Sequence, residues 1–332
     1  MLLKPGEEIH SYEPTPQDIK MIQNSDLFIY TGGENDVWVE NILASLEEEK
    51  GGPRTVRLLD LVETFEEEEL EGMMPEKGEH DHGHGSEEEA EEDHNHEAEE
   101  GHDHEAGEDH DHVSDAATIT GAHTHVHGGE PDEHVWTSPE NCVILIQALT
   151  DEFCSLDPAN EGLYRTNGDA YREAFEALDA QYLEMAAQAG RKTILFGDRF
   201  PFRYLAEELG LTCYAAFSGC SAESEPSAAT IAFLIDKAAE EQLPVVFQIE
   251  FSNGNIARAI SEAAQVKMKK NAAKQMGDAG GGENAEVPQV RVLQLHSCHN
   301  VTRDEFDSGQ TCLSLMTKNL EVLRTALDVP AE

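Results

Sequence analysis

The chain is short of positive charge, of paired cysteines and of long apolar runs, and each shortage closes off a class of function. Its 332 residues hold 22 Lys and Arg against 68 Asp and Glu, a formal net charge of −46. Nucleic acid and anionic membrane surfaces are gripped through clustered Lys and Arg, so neither is expected as a partner. No stretch approaches the roughly 18 consecutive apolar residues of a membrane-spanning helix. The amino terminus, MLLKPGEEIHSYEPTPQDI, lacks the charged-then-apolar plan of a signal peptide. It reads as the middle of a domain: a strand end, a turn at Pro5-Gly6, then a polar loop entering a helix. The six cysteines (142, 154, 213, 220, 298 and 312) contain no CxxC pair, which sets aside a zinc ribbon and a thioredoxin-type motif, and no HExxH is present.

Histidine is where the chain is rich. Twelve of its 16 histidines lie in one segment: His80, His82, His84, His94, His96, His102, His104, His110, His112, His123, His125 and His127. They stand among carboxylates; residues 66–115 alone carry 23 acidic side chains against one lysine, nearly half the charge imbalance. Such a composition cannot bury enough apolar surface to order itself, so a disordered insert over 66–128 is expected. Neutral imidazole is a borderline-soft donor that suits zinc, nickel, copper and cobalt, whereas carboxylates alone would suggest calcium or magnesium. Repeated His-x-His spacing lets neighbouring rings converge on one ion without a fold, and the segment reads as a metal-loading loop.

Outside the insert the pattern is βα alternation. Strand-like LFIYTG and TVRLLDLV flank an amphipathic DVWVENILASL, and Thr137 or Ser138 can cap a helix that Pro139 starts. Residues 159–189 place Tyr164, Tyr171, Phe175, Leu178, Tyr182 and Met185 at three- and four-residue steps. That predicts a helix of about 45 Å, long enough to bridge two lobes. From Lys192, the segments KTILFGD, TCYAAFSG, PVVFQIEFS and VRVLQLHSC read as strands separated by helices, hence parallel βαβ units. The expected architecture is α/β: two βα lobes with parallel sheets joined by a long rigid helix and a cleft between them. The boundaries are an amino-terminal lobe over 1–158, lacking its first strand and helix, a linking helix over 159–190, and a carboxyl-terminal lobe over 191–332. Ligands of such sheets sit outside the carboxyl ends of the strands. His10, His134, His296 and His299, the four histidines outside the insert, all fall at strand ends or in loops.

The segments PGEEIHSYEPTPQDI, SDLFIYTGG, DEHVWTSPEN and GCSAESEPSAATIAFLI together resemble the zinc-type (cluster A-I, or cluster 9) metal-binding proteins of ABC importers, over nearly the whole chain outside the insert. The resemblance implies a protein that does no chemistry on its ligand. It would capture Zn(II) outside the cytoplasmic membrane, as a membrane-anchored lipoprotein or a periplasmic protein, and hand it as a monomer to an ABC permease. It carries His10 and His134 over as metal ligands. Where the family places a third His, this chain has Gly197 in GDRFPFRYLA; where it often has an Asp, LQLHSCHN aligns His296. The implied set is therefore His10, His134 and His296, with Asp198, Glu225 or His299 as a possible fourth ligand, tetrahedral as zinc prefers. On this reading Gly197 is a vacancy that a histidine would fill. Asp198 and Arg199 could equally be an ion pair that shapes their loop.

Two other functions compete. Three protein ligands and a water also describe a catalytic zinc, with Glu133 or Glu225 as a base, so a zinc-dependent hydrolase is one alternative; a truncated, non-specific metal buffer is the other. Cys220 and Cys298 both follow lobe strands and would pair in an oxidising compartment, or else remain two buried thiols.

Overall fold

A computed structural model of the chain describes residues 2–7, 12–48, 52–67, 70–73, 129–219, 225–279 and 287–330. The expectations placed on His10, on the twelve histidines of the insert and on Cys220 lie outside the described residues. The chain opens with α1 (Pro16–Gln23), β1 (Leu27–Tyr30), α2 (Val37–Glu48) and β2 (Arg54–Arg57). After the insert come α3 (Pro139–Leu156) and α4 (Glu161–Gln188). The remainder alternates: β3 (Thr193–Phe200), α5 (Arg203–Leu209), β4 (Thr212–Ser218), α6 (Ala228–Glu240), β5 (Val245–Gln248), α7 (Asn255–Ala279), β6 (Arg291–Gln294), α8 (Arg303–Asp307) and α9 (Cys312–Ala326). Among the described residues no helix is long and apolar enough to cross a membrane.

Among the described residues these strands form two parallel sheets. β1 and β2 pair with Leu27 opposite Arg54. The second sheet has the order β4-β3-β5-β6, every pairing parallel. Its strands alternate over most of their length, with a register shift between β3 and β4 after Phe196 that leaves both Ala216 and Phe217 on one side. Ile194, Phe196, Ala215, Val245 and Phe247 point into a core shared with Phe175, Leu178, Tyr182 and Met185 of α4 and with α5 and α9. Leu195, Tyr214, Ala216 and Val246 point into the opposite core, against α6 and α7. Period-two side-chain direction combined with helices on both faces is what a buried parallel sheet requires.

The long helix forms where the sequence predicts it. Its buried residues Phe175, Leu178, Tyr182 and Met185 follow three- and four-residue steps onto one face, and the Tyr182 hydroxyl donates to the Met316 carbonyl at 2.6 Å. At 28 residues it extends about 42 Å. Gly168 lets α3 approach it, because a Cβ there would fall 2.2 Å from the Thr150 hydroxyl. Ser138 caps α3, accepting from Asn141 N–H at 3.1 Å, with Pro139 in the first turn. Some boundaries differ from expectation. β5 stops at Gln248 instead of running through Ser252, because the chain turns there and Phe251 takes a φ of +61°. α7 continues past Gln265 to Ala279, since VKMKKNAAKQM contains no breaker and is rich in good helix formers. α8 was not anticipated; it is a short turn held by a capping box between Thr302 and Glu305.

Candidate metal centre

His134 begins a single 3-10 turn over Val135–Thr137 and is fully buried. Asp132 fixes it twice: its Oδ1 accepts from the His134 backbone N–H at 2.8 Å and lies 2.9 Å from Nδ1. Asp132 is itself buried and anchored, since its N–H donates to Phe65 O and its carbonyl accepts from the Tyr204 hydroxyl at 2.7 Å. A carboxylate only accepts, so Nδ1 carries the proton and the lone pair of the neutral ring sits on Nε2.

The imidazole that meets His134 is His299, three residues past His296 in the loop that follows β6. The two rings stand edge to face, 4.6 Å apart between centroids at 84°. His299 Nδ1 contacts the Ser297 hydroxyl, whose proton goes to Glu250 Oε1. The Ser297 backbone N–H donates to Glu250 Oε2 at 2.7 Å. With the hydroxyl proton committed to a buried carboxylate, His299 Nδ1 must donate, and its lone pair also falls on Nε2. Each ring is thus oriented by a carboxylate, directly in one case and through a hydroxyl in the other, the arrangement that prepares imidazole to ligate. Trp136 packs against both rings, at 5.8 Å from His134 and 5.4 Å from His299, and its indole N–H donates to Ser297 O at 2.9 Å. Gly219, just past β4, closes the other side: a Cβ there would lie 2.9 Å from His134 Cε1.

The surroundings are acidic. Glu133 accepts from the Asn35 backbone N–H at 2.8 Å and its side-chain amide at 2.9 Å. Burial raises the pKa of Glu133 and of Asp36 despite these and similar donors. Partly desolvated carboxylates around two nitrogen lone pairs make a setting that favours a cation. A cavity of about 510 Å³ reaches from His299, Trp136 and Glu133 to β1 and α1. Among the described residues, no group of three or more His, Cys, Asp or Glu is placed to hold a metal. The described donors amount to the pair His134 and His299.

The remaining expected ligands are placed differently. His296 is buried, but its Nδ1 accepts from the Cys298 backbone N–H at 3.0 Å, and its Nε2 faces Glu305 at 3.7 Å. Asn319 of α9 binds both its N–H (2.8 Å) and its carbonyl (2.7 Å). Asp198 accepts from the backbone N–H groups of Arg199 (2.9 Å) and Ile249 (3.3 Å), so its carboxylate shapes the end of β3. Glu225 is exposed ahead of α6. Gly197 corrects the expectation of a vacancy: a Cβ there would lie 2.4 Å from Ala257 Cα and 2.7 Å from its N. Glycine is present because the backbone of α7 rests on β3, and a histidine has no room. Asp132, Ser297, Trp136, Gly219 and Glu250 were not singled out as site residues. Asp132 and Ser297 stand inside the quoted motifs DEHVW and LHSCHN, and a polar neighbour two residues from each histidine was the available signal.

The model of the ZnuA family, the periplasmic component A of zinc-uptake complexes, matches residues 1–326. The chain belongs to the ZnuA family. It is 26% identical over 328 residues to the zinc-binding lipoprotein AdcA of Streptococcus pneumoniae, covering 99% of this chain and 51% of that protein. It is 27% identical over 332 residues to the high-affinity zinc uptake system protein ZnuA of Bacillus subtilis, covering 98% of this chain and 80% of that one. The chain thus spans about half the length of the AdcA relatives it matches. Among solved structures, the Zn(II)-bound ZnuA-like domain of S. pneumoniae AdcA superposes with a TM-score of 0.61 at 22% identity, covering 98% of this chain and 89% of that one. The metal-dependent lipoprotein YcdH of B. subtilis gives 0.64 at 21%, with the same two coverages. The fold is therefore the α/β arrangement of two parallel-sheet lobes joined by a long helix. ZnuA proteins are uptake components, not enzymes, which overturns the hydrolase alternative.

Proposed function

We propose that this chain captures Zn(II) outside the cytoplasmic membrane, as a lipoprotein or periplasmic protein, and delivers it as a monomer to the permease of an ABC importer. Residues 1–158 and 191–332 serve as the two lobes and 159–190 as their link. The observation that carries this reading is the His134–His299 contact, with Nδ1 of His134 held by the Asp132 carboxylate and Nδ1 of His299 by the Ser297 hydroxyl. Two imidazole Nε2 donors suit zinc better than calcium or magnesium. His10 supplies the third nitrogen on the strength of its EIHSYEPTP motif. Support comes from Asn300, next to His299, whose amide donates at 2.8 Å to the carbonyls of both Lys4 and Glu7, three positions before His10. His299 replaces His296 in the proposed set because the His296 Nδ1 lone pair already accepts a backbone N–H. The histidines of the acidic segment add weaker sites that raise the local zinc concentration.

Isothermal titration with zinc tests the assignment. His134→Ala and His299→Ala should each weaken the tight site by about 100-fold or more, roughly 2.7 kcal/mol. Asp132→Ala, which frees a ligand's orientation, should weaken it by about 10–100-fold. His296→Ala should change affinity by less than about tenfold on the same scale. A large loss in His296→Ala with none in His299→Ala would return the ligand to the position the family alignment suggested.

A further inference from the structure

The loop that carries His299 is fastened on both sides of the histidine. Ser297 is held by the Trp136 indole N–H and by Glu250. On the other side stands Asn300, buried, whose amide reaches across almost the whole length of the chain. Its Nδ2 donates at 2.8 Å to the carbonyl of Lys4, 296 positions away, and at 2.8 Å to that of Glu7, 293 positions away. Its Oδ1 accepts from the Val301 N–H at 2.8 Å. A flipped amide would set its oxygen against two carbonyl oxygens, so this orientation is fixed. The segment it grips is a turn. Pro5 and Gly6 occupy the two central positions, Gly6 has a φ of +90°, and the Glu7 N–H closes on the Lys4 carbonyl at 3.1 Å. A type II turn needs a positive φ at its third residue, and glycine supplies it. The shape of the turn is therefore local, but its place is set from the far end of the chain, by Asn300 and by the Gly6 N–H donating to the Val301 carbonyl at 2.8 Å. His10 follows Glu7 by three positions, a reach of at most about 11 Å. Asn300 thus stands one peptide link from His299 and two hydrogen bonds from the segment that enters His10.

We propose that Asn300 is a positioning residue of the zinc site: it bolts the Lys4–Glu7 turn to the His299 loop, fixes the spacing of His10 and His299 about the ion, and slows the ion's departure. This role rests on the zinc function proposed above. Asn300 is no ligand and acts through His10. Arrival of the ion depends on encounter, whereas departure requires the ligands to separate, so loss of the bolt falls mainly on release. The two carbonyls left behind at the exposed turn can turn to water, which keeps the cost to folding small beside the cost to ligand placement.

Zinc titration and stopped-flow release of zinc into a chelator, both on the full chain, test this. Asn300→Ala should speed release by about tenfold and weaken affinity by a similar factor, with association changed by less than about twofold. Asn300→Asp, of nearly the same size but unable to donate at neutral pH, should match the alanine variant. Gly6→Ala meets no neighbour within 4 Å but strains the same turn at its positive φ, and should speed release by about two- to fivefold without altering the loop itself. In a chain already carrying His10→Ala, Asn300→Ala should change affinity by less than about twofold, because the group through which it acts is gone. A role in general stability alone would weaken binding equally in both backgrounds, so equal losses overturn the proposal. Release as slow as the parent's in both Asn300→Asp and Gly6→Ala overturns it too, and leaves the zinc reading intact. A parent chain that binds no zinc refutes the zinc reading and the positioning role together.

Discussion

Leu195, Phe196, Ala215, Val246 and Phe247 of the four-stranded sheet are excluded from solvent, whereas every residue of β1, from Leu27 to Tyr30, stays half-exposed. Both sheets are parallel, so both present backbone and side chains that need cover on two faces. The larger one has it, with α4, α5 and α9 on one side and α6 and α7 on the other. β1 instead borders the cavity of about 510 Å³, lined in part by Tyr12, Ile22, Phe28 and Trp38. The centre draws on both regions. His299 follows β6 of the enclosed sheet, and His134, on the turn before α3, is steadied from that side by Tyr204 and Gly219. Rigidity at the site thus comes mainly from the larger sheet.

Truncation should separate the two sheets most clearly. Phe247→Ala, at a fully enclosed position, should destabilise the chain by about 3–5 kcal/mol. Phe28→Ala should lower stability by about 1 kcal/mol, because only part of its area is withdrawn from water. Chemical denaturation measures both, and equal losses would abolish the distinction. An effect between these two is expected for Gly197→Ala. The added methyl meets the α7 backbone, so overpacking of about 1–3 kcal/mol should appear in the same experiment; a neutral result would mean that β3 and α7 yield more easily than their contact suggests.

A further effect concerns pH at the edge of the enclosed region. Glu208 accepts from Ser138 and faces Asp179; burial, then Asp179, moves its pKa from 4.5 to about 8. Between those values the folded chain holds a proton that the unfolded chain has lost, so this group's contribution to stability is full below 4.5 and fades as pH rises to about 8. Melting temperatures recorded across that range should fall with pH, and Glu208→Gln should flatten the decline. An unaltered slope in the variant would assign the pH dependence to other groups.

Much of this could be read from the residues. The strands β3 to β6, the long α4 and the Ser138 cap follow from period-two and three-to-four-residue spacing and from side chains that bond their own neighbours. The elements misjudged are short-range: β5 stops where the chain turns toward Phe251, and α8 is a single turn closed by Thr302 and Glu305, too short for periodicity to reveal. At the centre, DEHVW marked His134, but the loop HSCHN offered two histidines three positions apart with nothing local to choose between them.

The sequence by itself determined the elements, the parallel topology and the presence of histidine at the strand ends, because periodicity, capping and donor chemistry act within a few residues. Only the tertiary structure decided which histidine meets His134. That choice depends on Glu250, which follows a different strand and binds Ser297 from 47 positions away, and on Asn319, which holds His296 back from 23 positions away. It also decided that Gly197 is a packing contact, since a glycine's missing side chain has meaning only beside the helix that lies against it.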